Sequence, residues 1–146
     1  MDESKRREIT QWIVKAGRDL RSARRLYSDT PPLLDTAAYH CQQAAEKALK
    51  AFLTMHDIPV QKTPLLAPLV LQCMQRDPEF HALQETAETL TPFATAFRYP
   101  GDPIVPPGRA PLRIPCLTSL ASSPVWRATS RSHSGAGAGT SRSLFF

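Results

Sequence analysis

The segment 35–56, DTAAYHCQQAAEKALKAFLTMH, most constrains the fold, because its small and apolar residues recur with the spacing of one helix face. The alanines in this stripe leave room for a neighbouring helix to approach closely. Asp35 follows the Pro31–Pro32 pair and is expected to cap the helix start. We therefore predict a central, most buried helix. Its inward residues are Ala37, Ala38, Cys41, Ala44, Ala45, Ala48, Leu49, Phe52 and Leu53.

Three further helical patterns surround this segment, over residues 3–27, 63–75 and 77–98. Thr63 and Asp77, each followed by proline, are the expected caps of the last two helices, and Pro92 is expected to kink the last one. Short connections favour antiparallel neighbours, so the prediction is an all-α antiparallel bundle of about four helices. The expected inward residues are Ile9, Trp12, Ile13, Ala16, Leu20, Ala23, Leu26, Tyr27, Leu66, Leu69, Val70, Cys73, Phe80, Leu83, Ala87, Leu90, Ala94 and Phe97.

The composition changes at Gly101, which divides the chain into a helical domain over 1–100 and a tail over 101–146. The tail holds six prolines, five glycines, eight serines and five arginines, but no lysine and a single acid. Such a segment buries too little apolar surface to offset the conformational entropy that it would lose on ordering, so we predict a disordered tail. One hypothesis for its origin is out-of-frame translation of a GC-rich gene. Without a closing helix, part of the apolar stripes is expected to be uncovered.

The formal net charge of +5 is concentrated in this tail. Residues 1–100 hold 13 basic and 12 acidic side chains, and residues 101–146 hold 5 basic and 1 acidic. The overall charge is therefore poor evidence for a nucleic-acid surface on the folded part. No apolar run is long enough for a signal peptide or a membrane span. Cys41, Cys73 and Cys116 lack metal-like spacing, so we expect buried thiols in a reducing cytoplasm and no zinc site.

Three motifs in order resemble the HEPN domain, a helical module of higher eukaryotes and prokaryotes that binds nucleotides or cleaves RNA. The run AAYHCQQAAEKALKAFL resembles the second helix of that family, and Phe97-Arg98-Tyr99-Pro100 resembles its RYP motif. The first helix matches a W…A..DL..A pattern. The resemblance covers roughly residues 5–102. The residues of the first-helix pattern are Trp12, Ala16, Asp19, Leu20 and Ala23.

The resemblance implies a small prokaryotic cytoplasmic protein with a HEPN-like helical bundle. Such domains often form homodimers and often accompany a nucleotidyltransferase-domain partner, in toxin–antitoxin or defence systems. The implied function is a binding module for nucleotide, for RNA or for that partner, with no cofactor. Two alternatives stay open, which are an active metal-independent endoribonuclease and an inactive truncated product.

The best candidates for contacts with nucleotide or RNA are Arg98 and Tyr99, which lie in the RYP-like motif. Lys47 and His40, on the central helix, are further candidates. His40 lies at the edge of the apolar stripe, so it either bonds a neighbouring helix or contacts a ligand. His56 ends the same helix, where a protonated imidazole suits the helix dipole.

A stripe of three arginines, Arg18, Arg21 and Arg25, recurs on one face of the first helix. One interpretation is a solvated face that is balanced by Glu8, Asp19 and Asp29. The other interpretation is a row of phosphate contacts. Sequence alone does not decide between the two. Both interpretations keep the three arginines exposed.

Ribonucleases of the family use an arginine followed after four to six residues by a histidine, which acts as base or positions the ribose hydroxyl. The matching arginine in this chain is Arg98. The positions where a histidine is required hold Pro103, Ile104 and Val105, so the motif is not completed and no catalytic residue is assigned. Two chance matches to the spacing are Arg76 with His81 and Arg127 with His133.

Overall fold

The computed structural model describes residues 1–95, and all regular structure in this part of the chain is helical, as predicted. None of the helices between residues 1 and 95 combines the length and the apolarity that crossing a bilayer requires. Two 3₁₀ segments flank the fourth α-helix. In chain order the elements are α1 (Glu3–Ser28), α2 (Leu34–Met55), α3 (Leu66–Met74), a first 3₁₀ segment (Pro78–Leu83), α4 (Gln84–Leu90) and a second 3₁₀ segment (Thr91–Ala94).

Helices α1 and α2 form an antiparallel hairpin. Lys5 pairs with Asp57 at 2.6 Å near one end, and Asp19 pairs with His40 at 2.9 Å further along. The residue number rises on one helix as it falls on the other, which is the register of two antiparallel neighbours. The turn between the helices is closed by the backbone N–H of Leu33, which donates to the carbonyl of Leu26 at 3.0 Å.

Helix α2 is the central helix, as predicted, because α1 packs against one side of it while α3, α4 and the 3₁₀ segments cover the other. Its alanines allow this double contact, since Ala38 and Ala51 are both fully buried. On the second side Phe52 lies against Phe80, with ring centroids 4.5 Å apart. The buried residues of α2 are Ala37, Ala38, Cys41, Gln42, Ala44, Ala45, Ala48, Leu49, Ala51, Phe52 and Leu53.

The expected uncovered apolar stripe is not found among residues 1–95. The inward residues predicted there are buried, apart from Trp12, Leu26 and Tyr27, which are partly buried. The large apolar side chains that are exposed lie outside the predicted stripes, for example Leu65 and Leu71. Phe97 lies outside the described residues, as does the predicted tail over 101–146.

Asp35 does not cap α2, so this prediction is wrong. The helix begins one residue earlier, because the backbone N–H of Ala37 donates to the carbonyl of Leu33 at 2.9 Å. Asp35 consequently lies inside the first turn, where its carboxylate accepts from the N–H of Thr36 at 2.7 Å. A negative charge at this position still suits the positive end of the helix dipole.

Thr63 closes a turn ahead of α3 rather than capping the helix, which begins at Leu66. Its hydroxyl accepts from the N–H of Leu65 at 3.1 Å. Pro68 is the third residue of α3. Its missing N–H removes no backbone hydrogen bond there, because the first four N–H groups of a helix have no acceptor within the helix.

The continuous last helix that we predicted is wrong, because the chain forms three short segments instead. Asp77 is the expected cap, and its carboxylate accepts from the N–H of Glu79 at 2.9 Å, but the following turns are 3₁₀. Regular α-helix is confined to Gln84–Leu90, and a second 3₁₀ segment follows with Pro92 in its first turn. A proline lacks the N–H that an α-helix requires there. The regular helix therefore ends at Leu90 instead of continuing with a kink at Pro92.

Candidate phosphate-binding groove

A polar network joins α1 to α2 around Asp19. Its two carboxylate oxygens bind different partners on α2: Nδ1 of His40 at 2.9 Å and Nζ of Lys47 at 2.5 Å. His40 and Lys47 are seven residues apart, so they share one face of the helix. All three side chains are largely buried, with between 17% and 27% of their surface exposed. The predicted bond of His40 to a neighbouring helix is therefore present.

The bond to Asp19 also orients His40. A carboxylate only accepts hydrogen bonds, so Nδ1 of His40 carries a proton and donates it. Nε2 is then the ring nitrogen left for another contact. Lys47 also offsets the negative charge of Asp19. The carboxylate therefore repels a nearby anion less than it would without this partner.

The network continues along α2 through a buried glutamine. Nζ of Lys47 donates to Gln43 at 3.1 Å, and Gln43 donates to the side-chain oxygen of Gln42 at 2.8 Å. Gln42 is completely buried and donates in turn to the carbonyl of Pro64 at 2.8 Å. This last contact fixes the loop ahead of α3. Sequence reasoning missed the role of Gln42, since its partner lies 22 residues away.

The sequence places Glu46 and Lys50 one helical turn apart with the acid first, which predicts an ion pair. This pair is present at 2.6 Å. Glu46 also accepts from Gln42 at 3.3 Å, so the pair is connected to the buried network. Lys50 lies 5.9 Å from the ring centroid of Trp12, which adds a cation–π contact between α2 and α1.

A surface groove of about 400 Å³ lies at the edge of the α1–α2 hairpin, next to the Asp19 network. Its α1 side carries two guanidinium groups, because Arg21 and Arg25 are one helical turn apart and both exposed. His40 lines the same groove and brings its oriented imidazole to it. The described lining residues are Arg21, Ser22, Arg25, Leu26, Thr36 and His40.

The arginines of this stripe are not paired with the acids that sequence reasoning offered as their balance. Within residues 1–95, no ion pair joins Arg18, Arg21 or Arg25 to a carboxylate. Asp19 is engaged by His40 and Lys47. Within this part of the chain, no carboxylate therefore competes with an external anion for the guanidinium groups of the stripe.

The structure therefore brings three of the predicted contact residues together at one groove: Arg21, Arg25 and His40. Lys47 supports the groove indirectly through Asp19. Arg18 lines a neighbouring groove on α1. The other two candidates of the RYP-like motif, at positions 98 and 99, lie outside the described residues, together with positions 103–105 and the pair 127/133.

His56 is not the cationic helix end that we expected. Its Nδ1 accepts from Nε of Arg76 at 3.3 Å, which requires a neutral acceptor nitrogen. Burial and then the nearby charge of Arg76 lower the pKa of His56 below its ordinary value. Arg76 therefore bonds His56 and not His81, which is exposed on the first 3₁₀ segment.

The cysteines that are described, Cys41 and Cys73, are both buried, as predicted. Burial raises the pKa of the Cys73 thiol to about 12, so it is protonated near neutral pH. Over residues 1–95, no three His, Cys, Asp or Glu side chains are grouped as a metal site would require. Cys116 lies outside this part of the chain.

Comparison with known proteins gives one finding. A family model for the HEPN domain matches residues 9–105, which is more than half of the chain and includes α2, all lining residues of the groove and the Asp19 network. No curated protein and no solved structure gave a significant match to the chain.

Proposed function

The chain belongs to the HEPN domain family, and we propose that it is a binding module that takes a phosphate group of a nucleotide or RNA into the groove between α1 and α2. The observation that carries this proposal is the placement of Arg21 and Arg25, one turn apart and free of carboxylate partners within residues 1–95, beside the oriented ring of His40. Guanidinium groups match phosphate oxygens with two parallel N–H donors.

The remaining lining residues suit the same ligand. Ser22 and Thr36 bring hydroxyl groups to the groove from α1 and α2, and hydroxyls donate to phosphate or sugar oxygens. Leu26 adds an apolar wall, against which part of a base or sugar can pack. The groove is open to solvent and its described lining includes no carboxylate that would repel an anion.

The buried network explains why the groove is in place before a ligand arrives. Asp19 fixes the ring of His40, and Lys47 offsets the charge of that carboxylate. Both α2 residues are held on a helix that is packed on two sides. A preformed site of this kind loses less conformational entropy on binding than one made of mobile loops.

The proposal is tested by isothermal titration calorimetry of ATP and of a short single-stranded RNA into the full chain. The double variant Arg21→Ala/Arg25→Ala removes two charge-assisted contacts of about 1.5–3 kcal/mol each, so binding of both ligands is expected to weaken at least tenfold. Lys62→Ala is the matched control, because it removes an exposed cation in the loop ahead of α3. Equal affinities of the double variant and the wild type would overturn the proposal.

Incubation of the protein with RNA in EDTA separates this proposal from the endoribonuclease alternative. A binding module leaves the RNA intact. Cleavage that persists in EDTA and disappears in Arg98→Ala would replace the binding module by a metal-independent ribonuclease. A broad, non-cooperative thermal transition would instead support the inactive, truncated product.

The proposal extends to the setting that the family resemblance implies. This setting is a cytoplasmic homodimer that works beside a nucleotidyltransferase-domain partner in a toxin–antitoxin or defence system. The buried cysteines, Cys41 and Cys73, are consistent with a reducing compartment. Sedimentation equilibrium tests the dimer, and co-purification with the product of an adjacent gene tests the partner.

A further inference from the structure

The arginines of the groove continue into a longer basic surface on α1, defined here as the basic face: Arg7, Lys15, Arg18, Arg21 and Arg25. We propose that the ligand is a phosphodiester chain that runs along this face, rather than a mononucleotide confined to one groove. This inference rests on the proposed function, since it takes the α1–α2 groove as one end of the track.

The five cations lie together on the side of α1 that faces away from the core. All five are exposed, whereas the buried residues of α1 face α2 from the other side of the helix. Between Arg7 and Arg25 the axis rises about 27 Å, at about 1.5 Å per residue. This length is well beyond the reach of a single nucleotide.

A second groove of about 410 Å³ extends the first along α1. Arg18 lines this second groove and Arg21 lines the first, and the two residues are one turn apart. The floor of the second groove includes Val14, which is 47% exposed. Its described lining residues are Glu3, Arg6, Arg7, Thr10, Gln11, Val14, Lys15 and Arg18.

The charge of the described residues is strongly polarised, although their sum is near zero. Helix α1 carries eight basic and three acidic side chains, and one of the acids, Asp19, is bound by His40 and Lys47. Outside α1, residues 1–95 carry four basic and nine acidic side chains. Such polarisation attracts a polyanion to α1 and repels it from the other elements.

The chemistry of the basic face indicates contact with the backbone of the chain rather than with its bases. None of the described residues lining either groove is a phenylalanine, tyrosine or tryptophan, and the ring of His40 is held by its bond to Asp19. Trp12 is partly buried and its ring lies beneath Lys50, so it is not available for stacking. Phosphate contacts position a nucleic acid and give little sequence preference, but they make binding strongly dependent on salt.

The test measures fluorescence anisotropy of a labelled 12-nucleotide single-stranded RNA, with ATP as the short competitor, on the full chain. With five phosphates neutralised, the slope of log K against log salt is expected near −3.5, at about −0.7 per phosphate. Arg7→Ala/Lys15→Ala is expected to reduce that slope to about −2 and to weaken RNA binding about tenfold, with ATP affinity unchanged. Lys62→Ala is the control that leaves both unchanged.

The outcomes separate this inference from the proposed function. If Arg7→Ala/Lys15→Ala leaves RNA affinity and slope unchanged while Arg21→Ala/Arg25→Ala weakens binding, the extended track is overturned and the groove stands. If neither ATP nor RNA binds the wild type, both are overturned. Loss of ATP binding in Arg7→Ala/Lys15→Ala also overturns the track, because its far end should not touch a mononucleotide.

Further measurements identify which phosphate polymer binds and check that the variant is folded. Single-stranded DNA, duplex RNA and inorganic polyphosphate are compared with the single-stranded RNA at equal salt. Polyglutamate that binds as tightly as RNA would overturn the assignment to a phosphodiester chain. Should circular dichroism show that Arg7→Ala/Lys15→Ala loses helix, Arg7→Gln/Lys15→Gln tests the same two charges.

Discussion

The α1–α2 hairpin and the region from α3 to the second 3₁₀ segment are built by different means. The hairpin consists of two long helices, of 26 and 22 residues, that are joined by apolar contacts and by the network around Asp19. The second region consists of short segments, all but α4 with a proline in the first turn, and it covers α2 mainly with apolar side chains. The Asp19 network and both grooves thus lie on the hairpin, while the second region contributes mainly apolar core residues.

The comparison predicts that shortening one buried side chain of the second region lowers the free energy of unfolding more than the other changes considered below. Phe80 is fully buried and lies 4.5 Å from Phe52, ring centroid to ring centroid. Phe80→Ala is expected to lower the free energy of unfolding by about 3–5 kcal/mol, through lost burial and the cavity left behind. Urea denaturation measures it. Val14→Ala, at an exposed position, is the control, and a loss below 1 kcal/mol for Phe80→Ala would contradict a shared core.

A change in the hairpin network is expected to have an intermediate effect. Asp19→Asn removes the charge that His40 and Lys47 share, so it should lower the free energy of unfolding by about 1–2 kcal/mol and weaken nucleotide binding. Thermal denaturation and calorimetry measure the two effects. Asp29→Asn, an exposed acid beyond α1, serves for comparison. Normal nucleotide binding by Asp19→Asn would show that the orientation of His40 is irrelevant.

The smallest effect is a pH dependence where the two regions meet. Because the pKa of His56 is lowered in the folded state, the unfolded chain binds the proton more readily. Its stabilising contribution is present above the ordinary value near 6.5 and is lost as pH falls through the lowered pKa. The charged groups around it are Arg76, Lys5, Asp57 and Asp77.

His56→Gln tests this junction, since glutamine keeps an acceptor but does not titrate. Urea midpoints recorded between pH 7.5 and pH 5 are expected to fall more for the wild type than for the variant. Identical pH profiles would mean that the bond from Arg76 does not depend on a neutral imidazole.

Local patterns were sufficient for the hairpin. The predicted first helix ended one residue short of Ser28, and the predicted second helix was displaced by one residue from Leu34–Met55. Both helices are long, so the apolar spacing repeats over several turns and identifies each helix and its buried face. The buried stripe and the ion pair of Glu46 with Lys50 were predicted for the same reason.

Distant partners explain what the patterns missed. Gln42 is not among the predicted inward residues, yet it is completely buried, and its amide is satisfied by the carbonyl of Pro64. His56 has the position of a cationic helix end, but Arg76 lies beside it and donates to its neutral ring nitrogen. The apolar period continued through Pro78 and Pro92, but the prolines decided the backbone hydrogen bonds. The candidates Arg98 and Tyr99 stay predictions.

The most direct test of the central claim is an amide NMR titration of the full chain with ATP. The account predicts that the shifts that change with ligand are those of Arg21, Ser22, Arg25, Thr36 and His40, around the groove, and that Arg21→Ala/Arg25→Ala abolishes the changes. Shift changes confined to α3 and α4, with the groove unaffected, would contradict it.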